Sequence, residues 1–206
     1  MGLFNRATGT KPATATATAT APAADPALAA LTGTYTIDTA HSTLGFTARH
    51  AMITNVRGAF TDYEGTLALD GSDPAASAAS LDIRMASVDT GSADRDGHLR
   101  GADFFDAERF PLMTFRSTSA EAPGGSEYRI HGDLTIKGTT RPVAIDLEFN
   151  GAAKDPFGNE RVGFEGRAEI LRSDWGLTWN AALETGGVLV SDKIKLTFEI
   201  SAIRTA

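Results

Sequence analysis

The chain has 206 residues, 42% of them hydrophobic, which is enough for one sizeable core. Its 19 Lys and Arg against 26 Asp and Glu give a formal net charge of −7, which argues against nucleic acid and anionic membrane surfaces as partners. The absence of cysteine excludes disulfides and thiolate catalysis, and no apolar run approaches the roughly 18 residues of a transmembrane helix.

Residues 1–33 precede the first strand pattern and predict a disordered N-terminal tail. Residues 7–30 are almost entirely Ala, Thr and Pro, whose small side chains bury too little apolar surface to offset the cost of ordering the chain. The opening MGLFNR is followed by polar residues where a secretion signal needs an apolar stretch. We therefore expect a cytoplasmic protein whose folded domain spans residues 34–206.

From Tyr35 onward, apolar residues recur at every second position, as in strands with one buried face. One clear set lies within KIKLTFEISAI and consists of Ile194, Leu196, Phe198 and Ile200. Turn sequences such as PGGS and KGTTRP separate the strands and indicate hairpins, hence antiparallel pairing. About eight or nine strands are predicted, over residues 35–37, 44–50, 59–69, 81–87, 112–118, 127–137, 141–149, 160–171 and 188–203.

The length of these strands favours a barrel over a sandwich. Several reach about ten residues or more, which is natural in a closed up-and-down barrel, where the strands tilt and no edge is left unpaired. The fold prediction is therefore all-β: an extended antiparallel barrel of about eight strands with one or two short helices. A barrel of this size either packs its interior solid or holds one small ligand. Alternation alone does not separate the two, because both need an apolar inner face.

Two segments, residues 88–110 and 172–187, lack the alternation and are long for connections in a compact domain, which is typical of functional loops and lids. Ser92 is placed to cap a short helix, with Asp94 and Asp96 in its first turn, where the helix dipole favours anions. We predict that the charges of this helix face water. The apolar side chains that would turn inward and close one end of the barrel are Leu99, Phe104, Phe105 and Phe110.

Two polar clusters are candidates for reactive sites. Asp38, His41 and Ser42 suggest a hydrolase, but no G-x-S-x-G or comparable strained turn presents a nucleophile, so structural hydrogen bonding is favoured. His98 lies among aspartates, yet the histidines show neither H-E-x-x-H nor another regular ligand spacing, so no metal site is predicted. A phosphate-cradling glycine loop is also lacking.

The sequence resembles the YceI-like family of lipocalin-like, polyisoprenoid-binding proteins. The matching stretches occur in family order and are YTIDTAHSTLGFTARH (35–50), VRGAFTDYEGTL (56–67), SADRDGHLRGADFFDAERFP (92–111), GDLTIKGTTRPV (132–143) and RSDWGLTWNAALETGGVLVSDKIKL (172–196). The resemblance implies an extended lipocalin-like barrel with a long apolar tunnel for an isoprenoid tail. A homodimer would fit the family, and many relatives carry the secretion signal that this chain lacks.

We therefore predict a noncatalytic protein that binds, transports or stores a long apolar lipid, with an isoprenoid such as a polyprenyl phosphate or quinone as ligand and no cofactor, metal or nucleic acid. Two alternatives remain open: an enzyme acting on a lipid head group, and a filled barrel that serves as a stress-related interaction module. Residues predicted to contact the tail are Phe46, His50, Ile83, Met85, Phe104, Phe105, Phe115, Ile130, Leu134, Phe164, Trp175 and Trp179. Head-group candidates at the mouth are Arg95, His98, Arg100 and Arg172, since guanidinium forms forked bonds to oxyanions.

Overall fold

The computed structural model describes residues 26–184 and 186–206. Two α-helices occur in this part of the chain, α1 (Pro26–Ala29) and α2 (Ala93–Arg100). The strands are β1 (Gly33–Ile37), β2 (Thr43–His50), β3 (Thr54–Phe60), β4 (Tyr63–Leu69), β5 (Ala78–Arg84), β6 (Val88–Asp89), β7 (Leu112–Gly124), β8 (Glu127–Ile136), β9 (Thr139–Lys154), β10 (Glu160–Leu171) and β11 (Val190–Arg204). None of the helices in the described ranges is long and apolar enough to cross a membrane.

The strands form one closed antiparallel barrel. The ring runs β1-β4-β5-β7-β8-β9-β10-β11 and closes where β11 pairs with β1. The other three strands are continuations of strands in this ring. β2 continues β1 and pairs with the same neighbour, β11. β3 leads into β4 and pairs with β2, and β6 continues β5 and pairs with β3. Eight long strands, three of them interrupted, thus confirm the predicted barrel.

The interruptions have local causes that the alternation does not reveal. Between β1 and β2, the carboxylate of Asp38 accepts the main-chain N–H of Ala40 at 3.1 Å and so starts a 3-10 turn over Thr39–His41. The predicted strand over 59–69 is likewise broken after Phe60, and the one over 81–87 ends in a 3-10 turn at Met85–Ser87.

The two ends of the barrel differ. At one end the ring is complete; at the other, β6 pairs only with β3 among the described strands, and residues 90–111, including α2, fill the gap beside β7. Ser92 is the N-cap residue as predicted, although its side chain makes no capping bond. The prediction that Asp96 faces water is wrong, because the residue is only 7% exposed and its carboxylate accepts bonds from the N–H (2.9 Å) and hydroxyl (2.5 Å) of Thr90.

Large apolar side chains close the α2 end, and we call this packed layer the floor. Its centre is formed by Met85, Phe104 and Trp175, each at most 7% exposed. The indole N–H of Trp175 donates to the carbonyl of Leu134 at 3.0 Å, which satisfies the polar atom of a buried ring. Phe105 packs against Phe60, with ring centroids 6.1 Å apart. The segment that lacked strand alternation therefore seals one end of the barrel.

Four glutamates form a row across the outer wall. Glu127, Glu148, Glu165 and Glu199 lie directly opposite one another on β8, β9, β10 and β11. All four side chains are exposed. Like charges placed directly opposite on neighbouring strands destabilise a sheet, so this row is a local electrostatic cost to the fold.

The predicted tail is described only from residue 26 onward; residues 1–25 lie outside the described ranges. Residues 26–32 form α1 and a turn that leads into β1. Leu31 packs against the small apolar cluster of Tyr35, Val162 and Ala202. These residues are therefore held against the barrel, whereas their composition predicted disorder, because two leucines find apolar partners that only the folded barrel supplies.

Candidate functional site

An apolar cavity occupies the barrel above the floor. Its volume is about 170 Å³, measured as the space open to the centre of a water-sized sphere. Its deep end is lined by Leu44, Phe60, Ile83, Met113 and Leu134. Its other end, which we call the mouth, is lined by Leu28, Leu31, Asp70, Gly71 and Pro74. The cavity thus opens at the end of the barrel opposite α2.

The inner faces of the long strands supply the lining. Alternate positions of β9 and β11 contribute Val143, Ile145, Leu147, Phe149, Leu196, Phe198 and Ile200. Four alanines, Ala78, Ala79, Ala120 and Ala168, also line the cavity on β5, β7 and β10, where larger side chains would fill the barrel. The alternation of apolar residues did not distinguish a filled barrel from a hollow one. In the structure the upper barrel is hollow and the floor is packed.

The lining carries one carboxylate and, within the described residues, no basic side chain. Its polar side chains are those of Asp70, Ser77, Ser80 and Tyr128. The Oδ1 atom of Asp70 accepts bonds from the hydroxyl of Ser72 (2.6 Å) and from the N–H groups of Ser72 and Asp73 (both 2.9 Å). These bonds, the Ser72 hydroxyl above all, hold the pKa of Asp70 below its ordinary value. The mouth therefore carries a negative charge.

The residues predicted to contact a tail divide between cavity and floor. Five of them line the cavity: Ile83, Phe115, Ile130, Leu134 and Phe164. Six belong to the packed layer beneath it: Phe46, Met85, Phe104, Phe105, Trp175 and Trp179. Strand parity had marked Phe46 and Met85 as inward, but parity does not tell how far along the barrel a residue lies. The other four residues of the packed layer lie in segments without alternation, where parity makes no prediction.

His50 is the exception to strand parity. It was expected to point inward with Leu44 and Phe46, yet its side chain is exposed at the end of β2. The neighbouring Arg49 is exposed as well, so this end of the strand extends past the core with both faces in water. The inward assignment of His50 is therefore wrong.

The four head-group candidates lie at the floor end, so their predicted position at the mouth is wrong. Arg95 donates to the hydroxyl of Thr90 at 2.6 Å, and Arg100 to the carbonyl of Ala86 at 3.3 Å. His98 contacts Asp103 through Nε2 at 3.0 Å and packs edge-on against Trp179, with ring centroids 4.6 Å apart. Each of these side chains joins α2 to a neighbouring segment.

Arg172, the fourth candidate, is 6% exposed. Its guanidinium donates to the carbonyls of Ser191 (3.0 Å), Trp179 (2.9 Å) and Leu177. Burial lowers the pKa of Arg172 from its ordinary value. With its donors directed at main-chain oxygens on both sides of the 176–190 connection, this arginine holds that connection against the floor.

Several cavity residues were not among the predicted contacts. The alternation of VAIDLEF and KIKLTFEISAI had marked Leu147, Phe149 and Phe198 as inward, and this signal could have placed them in the lining. Leu28 and Leu31 had been assigned to the tail. Their signal is the spacing of two leucines three residues apart in an otherwise Ala-rich stretch, which is typical of one face of a helical turn.

The Asp38, His41 and Ser42 cluster lies on the outer wall. His41 Nδ1 contacts Asp38 Oδ2 at 2.7 Å, and Arg161 donates to the same oxygen at 2.6 Å. The Arg161 bond is the main reason that the pKa of Asp38 is lowered. Ser42 Oγ is engaged with the main chain of Ser201, donating at 3.1 Å and accepting at 2.9 Å, so the cluster fastens the break between β1 and β2 to β11.

A metal centre has no support in the described part of the chain, where no group of three or more His, Asp or Glu side chains could hold an ion. Two of the carboxylates near His98 form separate ion pairs at the surface instead. Asp103 pairs with His98, and Asp106 pairs with Arg109 at 3.3 Å.

The sequence and the barrel are both similar to those of known proteins. A family profile, the YceI-like domain, matches residues 35–202. A UPF0312 protein of Staphylococcus aureus (strain MSSA476) is 38% identical over 169 residues, covering 82% of this chain and 95% of that protein. A UPF0312 protein of Vibrio cholerae (strain M66-2) is 37% identical over 145 residues, covering 69% and 77%.

Solved structures agree with the profile. The YCEI protein of Campylobacter jejuni is 33% identical with a TM-score of 0.67, over 77% of this chain and 90% of that chain. BcnA of Burkholderia cenocepacia is 26% identical with a TM-score of 0.71, over 80% and 98%. A polyisoprenoid-binding domain from Saccharophagus degradans shares the fold at 18% identity, with a TM-score of 0.62 over 83% and 98%. The chain belongs to the YceI-like family.

Proposed function

We propose that the protein binds and carries one long apolar lipid in the barrel cavity, without catalysing a reaction on it. The observation that carries this proposal is the blind apolar cavity that extends from the mouth to Leu44 and Leu134 above the floor. Burial of a tail there contributes about 0.8 kcal/mol per methylene, reduced by the cost of ordering the tail. The tail enters first, and the polar end stays at the mouth.

The tail we propose is an isoprenoid. Support comes from the Saccharophagus degradans domain, which has the same fold and is described as polyisoprenoid-binding. The lining fits such a tail chemically, because branched and aromatic side chains such as Ile130, Leu134, Ile145 and Phe198 surround the space, and contacts of this kind are non-directional.

The polar end we propose is uncharged, as in a quinone or an alcohol, rather than a phosphate. An anionic group at the mouth would lie near the ionised Asp70, and within the described residues no basic side chain lines the cavity to balance it. Like charges placed close together repel, and the repulsion disfavours an anionic head group there. Neutral lipids therefore suit this mouth better than phosphorylated ones.

Carriage rather than catalysis is supported by the polar groups at the mouth. Ser77 Oγ accepts the main-chain N–H of Asp70 at 2.9 Å, which ties this hydroxyl to the turn. A nucleophile needs a base within hydrogen-bond reach that can take its proton. The bonds of Asp70 Oδ1 go to Ser72 and Asp73 instead.

The first experiment is solvent extraction of the purified full chain followed by mass spectrometry. We expect about one long-chain neutral lipid per protein. An empty extract, together with failure of the protein to bind retinol, an isoprenoid alcohol, would contradict carriage. Turnover of an extracted lipid by the purified protein would favour the enzyme instead.

The second experiment compares retinol with retinoic acid, its anionic counterpart, by quenching of Trp175 and Trp179 fluorescence at pH 8. We expect retinol to bind more tightly. Asp70→Asn should reduce the difference in affinity between retinol and retinoic acid. Asp73→Asn is the control, because it changes the charge equally in the same exposed turn but outside the lining. It should leave that difference as in the native protein. Tighter binding of retinoic acid by the native protein would refute the neutral polar end.

A further inference from the structure

A short segment in front of β1 covers the mouth. We call residues 26–32 the strap; it consists of α1 and the turn into β1. It lies outside the stretch that matches the family profile, which begins at residue 35. The side chains of Leu28 and Leu31 line the cavity at its mouth, so any tail that enters or leaves there must pass them.

The C-terminal half of the strap is tied to the barrel by polar contacts. The hydroxyl of Tyr35 donates to the carbonyl of Leu31 at 2.9 Å. The guanidinium of Arg204 donates to the carbonyls of Ala30 (3.4 Å) and Thr32. Arg204 is held in turn by Glu160 at 2.7 Å. These bonds bring Leu31 to the mouth.

The N-terminal half rests on the turn after β4. The carbonyl of Leu28 lies directly over Gly71, where an added Cβ would stand 1.6 Å from the carbonyl oxygen. The N–H of Gly71 donates to the hydroxyl of Thr32 at 3.0 Å. With four residues, α1 is far below the roughly 12–15 residues at which an isolated helix becomes even marginally stable. Its position therefore depends on the seating of Leu28 in the cavity.

We propose that the strap is a gate: Leu28 and Leu31 leave the mouth to let a lipid tail pass and return to cover the tail once it is bound. This inference rests on the proposed lipid carriage. The moving part is a short segment that carries two leucine side chains. Hydrogen bonds hold its C-terminal end to the barrel, and its N-terminal end packs on Gly71. Closure shields the part of the tail nearest to solvent, and opening costs only the contacts of the strap.

The test uses the full chain with Leu28→Ser and Leu31→Ser together. The matched control is Ala29→Ser with Ala30→Ser, which adds two hydroxyls to exposed positions of the same segment. Stopped-flow fluorescence measures association of retinol and its release to phosphatidylcholine vesicles. We expect both rates to rise by at least about tenfold in the leucine variant, because both leucines are only partly buried and tenfold corresponds to about 1.4 kcal/mol, a part of the burial energy of two leucines. Kd should change less. The control should match the native protein.

Gly71→Ala provides a second route, because it displaces the Leu28 carbonyl without changing the strap itself. We expect it also to speed both association and release. Rates within twofold of native in both variants would overturn the gate. Faster release with an unchanged association rate would also overturn it, because that result is expected if the leucines are a fixed part of the cavity lining. Loss of folding in the leucine variant would overturn it too, by showing that both side chains are a fixed part of the core. Failure of the native protein to bind retinol, together with an empty lipid extract, would refute carriage itself, and the gate with it.

Discussion

Placing a larger side chain in the cavity tests separately how the cavity affects the stability of the fold and how it affects lipid binding. Ala168 is 9% exposed on the inner face of β10 and lines the cavity. In Ala168→Phe, a phenyl ring would occupy space that a lipid tail otherwise takes. Because the upper barrel is hollow at this level, the ring should be accommodated without the strain that overpacking causes in a filled core.

The two measured quantities should move in opposite directions. Cavity-filling substitutions commonly stabilise a protein by about 0.5–2 kcal/mol, so the lipid-free protein should melt at the same temperature as native or higher. The ring has the bulk of several methylenes. If the tail loses burial of only two, at about 0.8 kcal/mol each, affinity falls by more than about tenfold.

The assay is retinol titration of the delipidated protein, followed by Trp175 and Trp179 fluorescence, with a melting curve for each variant. Arg167→Phe is the matched control, because this neighbouring position on β10 is exposed on the outer wall. Native affinity in Ala168→Phe with native stability would refute the placement of the ligand in the barrel. A large loss of stability would refute the hollow interior.

Three further predictions concern the barrel itself. Glu165→Gln, in the middle of the glutamate row, should raise stability by about 0.2–1 kcal/mol, more at low salt than at high salt, as measured by urea denaturation. The side-chain bond from Arg161 holds the pKa of Asp155 far below its ordinary value, so this carboxylate stabilises the fold above the unfolded-state pKa of about 3.9 and less as pH falls through its folded pKa. The melting-temperature difference between native and Asp155→Asn should therefore shrink between pH 7 and pH 3; a constant difference would contradict it. Phe104→Ala in the floor should cost about 3–5 kcal/mol, whereas Phe157→Ala, at a side chain 89% exposed, should change stability by less than about 0.5 kcal/mol.

Local pattern was enough to predict the strands and which of their faces point inward. Ile194, Leu196, Phe198 and Ile200 alternate on β11 as expected and face the interior, because side chains on a strand point to opposite faces in turn. The family resemblance was confirmed for the same reason, since its motifs follow the strands and the α2 insertion in order. The breaks within three strands escaped prediction, because each depends on local turns such as the one begun by Asp38.

Depth along the barrel axis was decided only by the tertiary structure. Phe104 and Ile130 were both predicted to point inward, yet Phe104 lies in the floor and Ile130 lines the cavity. Arg172 has the sequence character of a head-group ligand, but its donors meet main-chain carbonyls five, seven and nineteen residues away on the chain. Leu28 stands in a stretch whose composition predicts disorder, and it is held by a mouth built from other strands. A periodic pattern encodes which face of a strand is apolar; which end of the barrel is filled, and which stays hollow, follows from side-chain volumes that meet only when the barrel closes.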